Sequence, residues 1–314
     1  AAPAATGELI DVNGDGKITV AGIHKFGDSL WFVNESAATE ARLKELGVDE
    51  YTFMDAKDDG NLFLQMIDTA IAQGVDGVIT TPPDQTLSQV AVDKLAEAGI
   101  PVLASDDPLQ TDDGTLLAPC VVIDAYSTGV ESARWIIDYM KENGLDTDEE
   151  CGIMLMTTDT VTSAVPRTEG QEDTIAELLP DFPAERIFYT DYKIDLNVAY
   201  TAANSIIVAN PQIKKWMVLS TADEGTIGAT RALEQAGLDK ESCTVALGGY
   251  LAPAEFEKGT CCKATVYFSA GEIGTHAAEN LVMMMKGETP DQQYMVGCTI
   301  ATPENHVEVM PEYQ

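Results

Sequence analysis

From residue 18 almost to its end, the chain alternates short β-rich runs with amphipathic helical stretches. Few folds accept such an order, because parallel strands are joined by crossover helices and cannot be closed by tight turns. ITVAGIHK (18–25) reads as a strand, the helical stretch ESAATEARLKELG follows it, and YTFMD (51–55) is the next strand. Phe63, Met66, Ile67, Ala70 and Ile71 then recur at helical spacing as one apolar stripe. DGVIT (76–80) is a strand, and TLSQ (86–89) predicts a capping box opening a helix that ends at Gly99. The run Ile100 to Ala104 reads as a buried strand, stopped by Pro108.

A second series begins near residue 119 with the strand CVVID and a helix carrying Val130, Ala133, Ile137 and Met140 on one face. GIMLMTT, RIFYTD, WMVLST, CTVALGG and CKATVYF follow as strands separated by helical segments. A length of 314 residues exceeds what one core usually serves. Two series of βα units therefore predict an α/β protein of two Rossmann-like, doubly wound lobes, with ligand sites outside the carboxyl ends of the strands. No low-complexity linker divides the series, which points to several crossings between lobes.

Composition narrows the partners. Eighteen basic residues against 52 acidic ones leave a net charge of −34, which repels nucleic acid and anionic membranes. No apolar run is long enough to span a bilayer, so no membrane insertion is expected. The start, AAPAATGE, has neither a basic nor an apolar leader region and reads like a processed exported chain. Cys120, Cys151, Cys243, Cys261, Cys262 and Cys298 form no C-x-x-C, and free thiols are expected. Catalytic signatures are missing: there is no Walker loop, G-x-G-x-x-G, G-x-S-x-G or H-E-x-x-H. His24, His276 and His306 are scattered, so an enzyme is not expected and no cofactor for chemistry is required.

One strand tip stands out. VLASDDP (102–108) ends in two consecutive carboxylates, Asp106 and Asp107, where a lone acid usually caps a helix or turns in solvent. Successive residues of an extended segment point opposite ways, so one of the two is expected to face a ligand.

Several stretches, KFGDSLWF (25–32), VITTPPD (78–84), VLASDDP, VPRTEGQ (165–171), YTAANSIIVANPQIKKW (200–216) and ADEGTIGATRALEQAG (222–237), together resemble the periplasmic sugar-binding proteins of ABC transporters, the type I solute-binding proteins, and among them the arabinose-binding members. The resemblance runs from residue 18 over nearly the whole chain. It implies two lobes joined by three crossovers near residues 123, 269 and 295, namely 1–123 with 270–295 and 124–269 with 296–314. It also implies a monosaccharide held between the lobes, hinge closure, an ABC permease as partner, a monomer, and an extracytoplasmic location, periplasmic or as a lipoprotein. The residues that fall on the family's ligand contacts are Lys25, Trp31, Phe32, Asp107 with Asp106 beside it, Arg167, Asn204 and Asp223. Chemically the set is coherent, since sugar hydroxyls both donate and accept and ring faces stack on aromatics. Ser29, Thr80 and Ala222 depart from the arabinose pattern at positions that help choose the sugar. The ligand is therefore a pentose or hexose of arabinose or galactose type, or another small polar ligand such as a furanosyl signal molecule or polyol. A sugar-responsive repressor would need a basic helix-turn-helix, which the chain lacks.

A separate motif, DVNGDGKIT (11–19), places Asp11, Asn13 and Asp15 at positions 1, 3 and 5 of an EF-hand-type loop, with Gly16 at the turn and the Lys17 carbonyl available. With Thr19 these residues are the candidate ligands of a structural calcium ion, although Gly22 stands where the bidentate glutamate belongs.

Overall fold

The computed structural model describes residues 7–159, 161 and 164–311, so the opening segment read as a processed start lies mostly outside the described residues. In chain order the elements are β1 (Thr19–His24), α1 (Leu30–Glu45), β2 (Glu50–Asp55), α2 (Gly60–Gln73), β3 (Gly77–Thr80), α3 (Ser88–Glu97), β4 (Val102–Asp106), β5 (Cys120–Ile123), α4 (Ala125–Glu142), β6 (Cys151–Thr157), α5 (Val165–Leu178), β7 (Ile187–Asp191), α6 (Leu196–Ala209), β8 (Lys215–Ser220), α7 (Asp223–Ala236), β9 (Cys243–Gly248), α8 (Ala252–Lys258), β10 (Cys262–Tyr267), α9 (Ala270–Met285), β11 (Gln293–Val296), β12 (Thr299–Ala301) and α10 (His306–Val309). They form two compact units, 1–123 with 269–296, and 124–268 with 297–314.

The first unit holds a parallel sheet ordered β11-β5-β4-β3-β1-β2. The second holds β12-β10-β9-β8-β6-β7, parallel except for β12, which runs antiparallel to β10. Central strands such as β3, β5 and β6 are buried along their whole length, as parallel strands covered on both faces must be. The edge strand β2 is only half-covered and carries polar residues.

Helix starts follow local chemistry. Asp59 accepts from the N–H groups of Asn61 and Leu62, Asp195 from Asn197 and Val198, and Asp124 from Ser127, each satisfying donors that an α-helix leaves open. The capping box expected at 86–89 does not form. Asp84 instead caps a 3-10 turn over Gln85–Leu87, and α3 starts at Ser88 without a side-chain cap. All six cysteines are free thiols. Burial raises Cys120 and Cys261 to about 11, so neither is an ionised nucleophile at neutral pH.

Candidate functional site

Each sheet reverses its strand order once, between β1 and β3 in the first unit and between β6 and β8 in the second. Crevices at the carboxyl ends of such neighbours are where doubly wound sheets take ligands.

In the first unit Lys25 directly follows β1 and is 6% exposed. Its ammonium pairs with Asp107, stands 3.6 Å from an Asp106 oxygen, and lies 5.9 Å from the centre of the Phe32 ring. Both acids of VLASDDP thus reach one cation, against the alternation expected of an extended tip. The backbone explains it. Asp106 has φ +62°, and this left-handed turn, which Asp tolerates better than most residues, abolishes the strand's alternation at its last residue. Asp58, whose N–H bonds to the Lys25 carbonyl, is raised by burial while Lys25 draws it back.

Of the other residues expected here, Trp31 and Phe32 are buried in the first turn of α1, with Phe32 5.5 Å from the His24 ring and 6.3 Å from that of Phe26. Ser29 sits half-buried at the N-cap of α1 without a capping bond from its side chain. Thr80 is fully buried and donates its hydroxyl to the Ile23 carbonyl at 2.8 Å, which makes it a link between strands.

In the second unit the switch point is lined by hydroxyls. Thr158 and Thr221 are 2.6 Å apart, and the Tyr192 hydroxyl is 3.1 Å from that of Thr221. Arg167, in the first turn of α5, donates from Nη1 to the Thr221 carbonyl at 2.7 Å and lies 5.5 Å from the Phe268 ring centre. Its Nε is buried without a hydrogen-bond partner among the described residues. A close helix crossing sets its backbone: a Cβ on Gly129 of α4 would overlap the Arg167 carbonyl.

Asp223 opens α7 but points inward. It accepts from the N–H groups of Gly249 (3.2 Å) and Leu251 (2.7 Å), and burial pushes it up to about 7. Beside it Glu224, raised by burial, accepts from the Tyr250 hydroxyl at 2.7 Å. Asn204 is half-buried in the third turn of α6, eight residues from its start or about 12 Å along the axis. No hydrogen bond joins it to the Arg167 group among the described residues. Thr158, Thr221, Tyr192, Glu224 and Tyr250 were not singled out in the sequence. Their only signal there was position, at strand ends or just after them.

The 11–19 loop is closed by its own backbone. Asp11 accepts from Gly14 (2.6 Å) and Gly16 (2.9 Å), Asn13 from Asp15 (2.8 Å), and Asp15 from Lys17 (2.8 Å). Thr19 donates its N–H to Asp76 at 2.8 Å. Among the described residues no three acidic, histidine or cysteine groups converge as metal ligands.

The profile of the family described as a periplasmic binding protein domain matches residues 22–289. The chain is 29% identical over 309 residues to an ABC transporter L-arabinose-binding periplasmic protein of Azospirillum brasilense, covering 95% of this chain and 90% of that one. It is also 29% identical over 210 residues to the L-arabinose-binding periplasmic protein of Escherichia coli (strain K12), covering 66% of this chain and 62% of that relative. Among solved structures, a Caulobacter myo-inositol binding protein with bound myo-inositol superposes with a TM-score of 0.79 at 22% identity, over 93% of this chain and 95% of that one. The binding protein of the arabinose ABC transporter from Shewanella sp. ANA-3, bound to L-arabinofuranose, gives 0.77 at 21%, over 94% and 95%. At these identities the two structures speak for the fold.

Proposed function

The chain belongs to the periplasmic binding protein family, and from that premise we propose that it is an extracytoplasmic binding protein that captures a monosaccharide and presents it to an ABC permease. One observation carries the ligand class. At the first unit's switch point a buried lysine is held by two acids, a fixed set of one donor group and several acceptors with an aromatic ring beside it. Neutral polyhydroxylated ligands suit such a set, because each hydroxyl answers a donor and an acceptor at once. Arg167, with an unpartnered buried Nε, is the matching donor of the second unit. The relatives named for L-arabinose favour a pentose.

A second reading, a polyol or a furanose in the same set, is favoured by Ser29, Thr80 and Ala222, which break the arabinose pattern. Calorimetric titration against L-arabinose, D-galactose, D-apiose and myo-inositol separates the readings, and heat from none of them refutes both. Two further proposals rest on the sequence alone: that the protein is a monomer, and that Asp11, Asn13, Asp15, Lys17 and Thr19 hold a calcium ion.

A further inference from the structure

Below the Lys25 clamp lies a carboxyl group that the proposed ligand contacts do not use. Glu35, in the second turn of α1, is fully buried, and neither of its oxygens has a hydrogen-bond partner among the described residues. His24 Nδ1 stands 3.9 Å from one of its oxygens, beyond hydrogen-bonding distance. His24 is engaged elsewhere, through Nδ1 with the Thr81 hydroxyl (3.1 Å) and through Nε2 with the Tyr51 hydroxyl (3.5 Å). The groups facing Glu35 are His24 from β1 and Lys25 just after it, Tyr51 from β2, and Ser105, Asp106 and Asp107 from β4 and its end. From α9 comes backbone: a Cβ on Gly274 would overlap the Glu35 carbonyl, and this close crossing seals the residue in.

An ionised carboxylate in such a place would have only the Ser105 hydroxyl and the already paired Lys25 to set against full burial and two further acids, so the neutral form is the one the site can hold. We propose that Glu35 is a protonated carboxylic acid that acts as a positioning residue for the clamp: while neutral, it leaves Lys25 to Asp106 and Asp107, and on ionising it becomes a third claimant on the same ammonium. Burial, reinforced by Asp106, holds its carboxyl well above the usual range, while nearby Ser105 and Lys25 work the other way. Burial and the adjacent Lys25 push His24 down to about 3, so it supplies no counter-charge at neutral pH. Ligand binding should therefore fail on the alkaline side, as Lys25 is drawn off the acids that orient it. The inference deepens the proposed sugar-binding reading and rests on it.

The test compares wild type with Glu35→Gln, titrating whichever of L-arabinose, D-galactose, D-apiose or myo-inositol binds best from weakly acidic to alkaline pH. Wild-type affinity should drop by up to about tenfold per pH unit once Glu35 ionises, and that limb should vanish in the variant. A limb of equal size in both proteins overturns the proposal. An independent readout is the infrared difference between the two proteins at neutral pH, which should contain the carbonyl band of a protonated carboxyl. Its absence overturns the proposal even if no sugar binds, so failure of the ligand reading and failure of the Glu35 assignment are told apart. Should Glu35→Gln not fold, Glu35→Met serves for both measurements.

Discussion

At the β1/β3 switch point of the first unit three charges are packed on one another, whereas at the β6/β8 switch point of the second the Arg167 guanidinium bonds to a backbone carbonyl beside a group of hydroxyls. The strand order around the two points is the same. Topology therefore supplies the place, and the side chains at the strand ends supply the chemistry. In the first unit orientation comes from ion pairing, with both acids swung onto Lys25 by the left-handed Asp106. In the second it comes from backbone, with Arg167 fixed by the α4–α5 crossing and the Thr221 carbonyl. The first arrangement should yield to a charge change, the second to a packing change.

Charge-assisted hydrogen bonds contribute roughly 1.5–3 kcal/mol each, so Asp107→Ala and Arg167→Ala should each weaken sugar binding at least about tenfold in calorimetry while the fold survives. Asp106→Ala should weaken it less, because Asp107 is the closer partner of Lys25. An equal loss for both acids would mean that the ligand, and not Lys25, sets their orientation. Gly129→Ala sharpens the contrast: overpacking the α4–α5 crossing should cost about 1–3 kcal/mol of stability by denaturant unfolding. It should displace Arg167 and lower affinity without touching the Lys25 clamp.

The next effect is in pH. His24 is held near 3, below its ordinary 6.5, so between those values the folded state binds fewer protons than the unfolded one. Stability from this group is complete above the ordinary value and is lost as pH falls through the window. Melting temperature should drop from neutral to acidic pH, and His24→Phe, with one less group to protonate, should drop less over the same range. A drop of equal size in both proteins would remove His24 from the account. The smallest effect concerns calcium. If the 11–19 loop holds the ion, millimolar calcium should raise the melting temperature over chelator by mass action, and Asp11→Ala should abolish the difference. Coincident curves would leave a turn closed by its own N–H groups.

Legibility followed the range of the forces. Strand and helix periods depend on neighbours within a few residues, so the βα alternation, both sheets' central strands and the apolar faces of α2 and α4 were readable. The capping box expected at 86–89 does not form because the Asp84 side chain takes the Thr86 N–H, a contact that the motif's own four residues do not contain. That Lys25, Asp106, Asp107 and Arg167 stand at element ends was legible from the strand and helix periods together with the family's motifs. Asp223 was legible as a position but not as a role, since its partners Gly249 and Leu251 lie 26 and 28 residues onward.

The sequence by itself determined two doubly wound lobes, a surplus of acidic over basic residues, and a strand tip carrying two carboxylates. Which way those carboxylates face was decided by one backbone angle at Asp106, and that angle belongs to no sequence period. Whether Glu35 meets water or is sealed was decided by α9, which packs its Gly274 against α1 from 239 positions away and adds a Thr39 hydroxyl bond to the Gly274 carbonyl across a separation of 235. Burial is a property of everything that packs on a residue, and a carboxyl's charge state follows burial, so that part of the chemistry comes into being only when distant segments meet.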